Sequence, residues 1–299
     1  MKSNQSDYGA MALIALIVPI WGSAWVVMKF LNIYIGAFNL VFVRYVVGFV
    51  ALLIIQLALR QPLRASPFWF TLGIAVFQTT ASQCLVQFAL IAGGAGKVVM
   101  MVYTLPFWVA LFAWIFLGDR PGKSHFLGFI LAALGLLAVI SPWRDQSTIF
   151  SMLLAIAGGA SWAMGTVFSK MLFQRHKNIN VLNLTTWQML LGALLVLPFA
   201  LVVPQSATQW SWHVALGLAY LGVMSSAIAW VLWLLVVRRV SATVAGMSGL
   251  GVPVFTVLLA WALLGERPTL VELVGIVLML AGLAVVNLAA KSNDRPVAV

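Results

Sequence analysis

The stretch Ala113-Trp-Ile-Phe-Leu-Gly-Asp-Arg-Pro121 returns 147 residues later as Ala260-Trp-Ala-Leu-Leu-Gly-Glu-Arg-Pro268. Around it, residues 95–139 lie on 242–286 without a gap, with fifteen identical positions that include Ala95, Met100, Pro106, Gly118, Arg120, Pro121, Gly128 and Gly135. A similar pattern opens each half: Trp21, Val26 and Lys29 match Trp162, Val167 and Lys170 at an offset of 141. Scattered Leu and Ala matches follow from apolar composition, but Gly-acid-Arg-Pro recurring in register does not. The chain reads as a duplicated unit.

Of the 299 residues, 63% are hydrophobic and 8% charged, which excludes a soluble domain and defines an integral membrane protein. A helix needs about 20 mainly apolar residues to cross the hydrocarbon core. Ten such runs are expected, at 8–28, 36–59, 67–91, 98–117, 124–141, 148–169, 181–203, 212–236, 242–264 and 269–290. The uncharged run 178–237 holds two of them, divided by Pro204-Gln-Ser-Ala-Thr-Gln-Trp-Ser211. The runs are continuous rather than alternating, which excludes a β-barrel, and the loops are too short for a soluble catalytic domain. The first run is too long for a signal-peptide core and ends in Met28-Lys-Phe rather than a cleavage site, so it is expected to remain as the first helix. The fold class is therefore all-α integral membrane, ten helices in two five-helix units over 8–141 and 148–290.

Seventeen Lys and Arg face six acids, and their placement matters more than their sum. With both termini cytoplasmic, twelve cations fall inside the cell and four outside (Lys29, Lys97, Arg144 and Arg267), while Arg44 lies within the second run. That is a positive-inside bias. It explains the basic chain without nucleic acid, because the charges are dispersed over separate loops. An odd number of spans per unit then inverts the second copy, placing Arg120 inside and Arg267 outside. Duplicated, inverted halves are a common way to build an alternating-access carrier. The lone Cys84 permits no intramolecular disulfide.

Arg44 is the most costly residue, eight or nine positions into its run and roughly 12 Å deep at 1.5 Å per residue. No Asp or Glu lies in the interior of any run to neutralise it. It either snorkels and fixes helix packing or binds a substrate carboxylate. Glu272 sits only at the start of the last run, and His125, His176 and His213 fall near run ends. A carboxylate proton relay, a metal cluster or a catalytic triad therefore has no residues to use, and neither an enzyme nor a cofactor is expected.

In the third run, Thr79, Gln83 and Gln87 share one helical face, with Gln78, Thr80 and Ser82 beside them. Lipid cannot hydrogen-bond that face, so it meets other helices or a cavity. Its counterpart in the eighth run is Ser225, Ser226, Trp230 and Trp233. Pro106 and Pro253 each interrupt a helix, and Gly246, Gly249 and Gly251 surround the second. Such sites are tight contacts or the discontinuous helices of transporters. Trp69, Trp143, Trp210 and Trp212 read as interface anchors, whereas Trp21, Trp25, Trp162, Trp187, Trp230 and Trp233 lie deeper and need partners for their indole N–H groups.

These features together resemble the drug/metabolite transporter superfamily, and within it the EamA-type exporters. The resemblance rests on Trp21-Gly22…Lys29, Phe42-Val-Arg44-Tyr, Pro106…Gly118-Asp-Arg-Pro121…Gly128…Gly135 and Pro253…Gly265-Glu-Arg-Pro268…Gly275…Gly282. It implies a central cavity built mainly from spans 1, 3, 4, 6, 8 and 9, and export of small metabolites, often amino acids, across the bacterial inner membrane. Carried to this chain, the expected lining is Trp21, Gln83, Tyr103, Trp162, Trp230 and positions around Met247-Ser248; the polar face of the third run adds Thr79, and the buried charge of Arg44 is available for a carboxylate. Pro106, Gly249, Gly251 and Pro253 are the expected hinges. The partners are a small-molecule substrate and membrane lipid, with no nucleic acid and no metal, on a monomer. The alternative is a flippase for lipid head groups or lipid-linked sugars using Arg44 and Lys29; a lipid-modifying enzyme lacks the clustered acids or histidines it needs.

Overall fold

A computed structural model describes residues 2–64, 66–118, 123–140, 147–240, 242, 245 and 251–293. Its helices fall where the apolar runs place them: α1 Lys2–Leu31, α2 Ala37–Ala58, α3 Phe68–Ala92, α4 Ala95–Leu117, α5 Lys123–Ile140, α6 Ser147–Arg175, α7 Val181–Val202, α8 Trp212–Arg239, α9 Gly251–Leu264 and α10 Leu270–Asn293. Seven of them (α1 to α4 and α6 to α8) are long and apolar enough to cross a membrane. The other three carry shorter apolar stretches, Phe126–Gly135, Gly251–Leu264 and Leu270–Gly282. There is no strand among the described residues.

The distribution of polarity is that of a protein dissolved in lipid. Arg44, Gln56, Gln78, Thr79, Gln83 and Gln87 are buried, whereas Ile54, Leu134, Phe150 and Leu258 are more than half exposed. In hydrocarbon a polar group has to find its partner inside the bundle, and an exposed Leu costs nothing. Together with the seven long helices this makes a multi-pass membrane protein.

Packing joins early helices to late ones. α1 lies on α8 and α9, and α6 lies on α3 and α4; α2 lies on α7 and α8, and α7 lies on α2 and α3; α5 pairs with α10. Two lysines repeat the pattern in hydrogen bonds. Lys29 Nζ donates to the carbonyls of Leu90 (2.7 Å) and Gly93 (2.8 Å). Lys170 Nζ donates to those of Val237 (3.3 Å) and Val240 (2.6 Å), positions 147 residues on from 90 and 93. Each ammonium meets the carbonyl-rich, negative end of a helix, where a cation is favoured.

Gly118 and Gly265 end α4 and α9 in the left-handed region, at φ 75° and 70°. An L side chain there costs roughly 1–2 kcal/mol, so the glycine of the repeated Gly-acid-Arg-Pro sequence is a helix stop. α4 is itself broken at Tyr103 and Thr104 and resumes at Leu105 with Pro106 in its new first turn, a position that needs no N–H. Two π-helical segments, Ala75–Ala81 in α3 and Tyr220–Ile228 in α8, lie at corresponding places. Such widened turns concentrate at functional sites.

Candidate functional site

Four tryptophans meet at the middle of the bundle. Trp21 of α1 lies 5.2 Å from Trp162 of α6, 5.8 Å from Trp230 and 5.7 Å from Trp233 of α8, and Trp162 lies 5.7 Å from Trp230. Two of these pairs, Trp21 with Trp162 and with Trp230, are edge-on, the arrangement the ring quadrupole favours. Their N–H groups are placed by the π-helical segments. Trp21 donates to the Ser225 carbonyl at 3.1 Å. With its amide turned to satisfy the two indoles, the Gln78 oxygen accepts from Trp162 at 2.9 Å and from Trp233 at 3.2 Å. Residues 78 and 225 are again 147 apart.

Arg44 stands against this cluster, 3% exposed. Its Nε donates to Ser226 Oγ at 2.9 Å, one terminal nitrogen to Gln83 Oε1 at 3.2 Å and to Met28 Sδ at 3.0 Å, and the other to Ser225 Oγ at 3.3 Å. The guanidinium also lies 5.4 Å from the Tyr45 ring centroid, within cation–π reach. Its side chain points into the bundle rather than snorkelling. Every one of these partners is neutral, so a full positive charge is held in the interior by dipoles alone. The counterpart contact on the other side is uncharged: Gln188 of α7 donates to Thr79 Oγ1 at 2.8 Å, and Thr79 also accepts the Tyr45 hydroxyl at its carbonyl.

Trp21, Arg44, Gln83, Trp162 and Trp230, five of the residues expected from sequence, line one small cavity with Ala24, Trp25, Met28 and Ser225. Its volume is about 20 Å³, room for a water but not for a metabolite. Thr79 is buried behind it in its bonds to Gln188 and Tyr45. Tyr103 is buried at the break of α4, its ring 6.5 Å from Trp162 and outside the lining. Ser248 and Gly249 lie outside the described residues, and so do Asp119, Arg120 and Pro121. Of the expected hinges, Pro106 restarts α4, while Gly251 and Pro253 stand at the start of α9. Trp187, expected deep, instead donates to the Arg64 carbonyl at an exposed position near the α2–α3 connection.

Sequence reasoning did not single out Met28, Gln78 or Ser225 as site residues. Gln78 and Ser225 carry a usable signal, since both occupy the same place in the repeated helix. Glu272, by contrast, is tied at the edge of the bundle, 2.6 Å from Lys97 and accepting the Thr269 N–H at 2.8 Å. No group of His, Cys, Asp or Glu among the described residues is placed to hold a metal.

A multi-pass helical bundle, with widened turns and a cation-bearing aromatic pocket at its centre, belongs to the class of membrane transporters. The model of the EamA-like transporter family matches residues 9–141 and again residues 149–288. The chain belongs to that family. It is similar to the "Uncharacterized transporter YoaV" of Bacillus subtilis (25% identical, covering 90% of this chain and 94% of the relative). It is similar also to a "Probable amino-acid metabolite efflux pump" of Salmonella typhimurium (28%, 91% and 92%) and to one of that name in Escherichia coli (26%, 92% and 93%). A solved crystal structure superposes with a TM-score of 0.72 over 94% of this chain and 98% of its own at 19% identity, a likeness that bears on the fold.

Proposed function

We propose that the chain exports small zwitterionic metabolites, amino acids foremost, by alternating access through ten spans arranged as two inverted five-helix repeats. The observation that carries this reading is Arg44: a buried guanidinium with neutral partners only, on the wall of an aromatic pocket. A substrate carboxylate supplies the missing charge there, and the indole faces take an apolar or aromatic side chain. Two relatives named as amino-acid metabolite efflux pumps support the substrate class, and the twofold family match supports the repeat. The reciprocal contacts of Trp21 with Ser225 and Trp162 with Gln78 support the inversion. At about 20 Å³ the pocket is too small for a metabolite, so substrate enters only when Trp21 and Trp162, one from each half, move apart. A head-group flippase is weighed down by Lys29, whose ammonium is engaged by the Leu90 and Gly93 carbonyls.

Counterflow in proteoliposomes, with amino acids, purines and lipid-linked sugars as competitors, tests the substrate class. Amino acids are expected to compete, and uptake is expected to persist with the membrane potential and pH gradient collapsed, because no Asp or Glu lies in the interior of an apolar run to relay protons. Strict dependence on a pH gradient that Glu272→Gln abolishes would overturn the facilitative reading.

The charge asymmetry supports both termini on the cytoplasmic side, and the bacterial relatives support a bacterial inner membrane. In a Cys84→Ala background, a cysteine at 267 is expected to react with an impermeant thiol reagent in intact cells, and one at 120 to be protected. The reverse pattern would invert the topology.

A further inference from the structure

A second cavity, of about 300 Å³, opens where the start of α4 meets the end of α9 and the start of α10. It shares no lining residue with the tryptophan pocket. Four ionisable side chains line it: Lys97, Glu266, Arg267 and Glu272. Glu266 accepts the Ala95 N–H at 2.9 Å and the Gly96 N–H at 3.0 Å, which fixes its carboxylate on the first turn of α4. Gly94 makes that approach possible, since a Cβ there would stand 2.8 Å from a Glu266 oxygen. Glu272 is held by Lys97 and the Thr269 N–H.

Each carboxylate is thus oriented but keeps lone pairs to spare, and Lys97 keeps N–H donors beyond its bond to Glu272. Arg267 makes no hydrogen bond or ion pair among the described residues and offers all its donors. A simple anion entering here meets two carboxylates, and a simple cation meets an ammonium and a guanidinium. Only a ligand carrying both signs a few bonds apart is favoured at both ends.

We propose that this cavity is a second binding site, for a zwitterion whose anionic end lies on Arg267 and Lys97 and whose ammonium lies on Glu266 and Glu272. It extends the transport reading, since on the topology above the site faces outside the cell, at the mouth through which an exported zwitterion leaves. Two sources share this chemistry: a free amino acid, and the phosphoethanolamine head of a lipid.

Calorimetry on the purified full chain in detergent tests it, with L-alanine and phosphoethanolamine as probes and succinate and putrescine as single-sign controls. At least one zwitterion is expected to bind saturably, with neither control displacing it. Arg267→Gln, at an exposed position, is expected to weaken that binding about tenfold or more, as loss of a hydrogen bond between charged groups does. Arg64→Gln, at an exposed position lining neither cavity, is expected to leave it unchanged. Binding of alanine identifies the free metabolite, and binding of phosphoethanolamine alone identifies the lipid; either supports the site. Zwitterion binding that is insensitive to both Arg267→Gln and Lys97→Gln would remove this site and leave the transport reading standing. Absence of any zwitterion binding in the unaltered chain would overturn this site, while the counterflow assay decides the transport reading separately.

Discussion

Arg44→Met is expected to abolish most transport of carboxylate-bearing substrates without lowering the melting temperature. Methionine is close to arginine in volume, though two atoms shorter, and meets Met28 and Tyr45 on apolar terms. What it removes is a buried charge held by Ser225, Ser226 and Gln83. Replacing a buried ion by an apolar side chain of similar volume is often neutral or stabilising, because the desolvation cost disappears with the charge. A substrate carboxylate would lose a hydrogen bond between charged groups, about 1.5–3 kcal/mol, or roughly ten- to a hundredfold in apparent affinity. Counterflow of a labelled amino acid and a thermal unfolding scan on the same preparation read the two effects. Wild-type transport by the Met variant would make Arg44 a packing element and empty the central pocket of its charge-reading role.

The second large effect concerns the aromatic cluster. Trp21→Ala and Trp162→Ala each remove a large buried ring and are expected to destabilise by about 3–5 kcal/mol. The two rings lie 5.2 Å apart, so the losses are expected not to add: the double variant should fall short of the sum by about 0.5–3 kcal/mol. A chemical-denaturation series over the four proteins measures the coupling. Strict additivity would mean that the rings only fill space against other neighbours.

The helices were legible because hydrocarbon imposes one simple requirement, a long apolar run, and each run is visible locally. The stops were not: Gly118 and Gly265 recur in register, but the left-handed backbone with which they end their helices is visible only in the structure. The site was legible only in part, for a geometric reason. Counting 3.6 residues per turn through α3 puts Thr79, Gln83 and Gln87 on one face. The π-helical segment Ala75–Ala81 widens the turns across that stretch, so the count slips. Gln78 consequently meets Trp162 and Trp233, while Thr79 turns to Gln188 and Tyr45. Nothing in the composition of Ala75-Val-Phe-Gln-Thr-Thr-Ala81 announces a wider turn. Arg44 was recognised as costly, but its partners Ser225 and Ser226 lie about 180 positions along the chain and no local pattern points to them.

That separation has a consequence for how the protein is made. Arg44 leaves the ribosome 182 residues ahead of Ser226, and α1, α2 and α3 emerge before the helices that will cover them. At about 5–20 residues per second, the wait is on the order of ten to forty seconds. During it the guanidinium has none of its second-half partners, while lipid on its own is a poor host for a charge. The early helices must therefore be kept by the insertion machinery, or stay near its aqueous side, until α8 arrives. Biogenesis of this chain is late-closing by design of its contacts, and truncation anywhere before residue 226 should send the nascent chain to quality control rather than yield a stable half-protein.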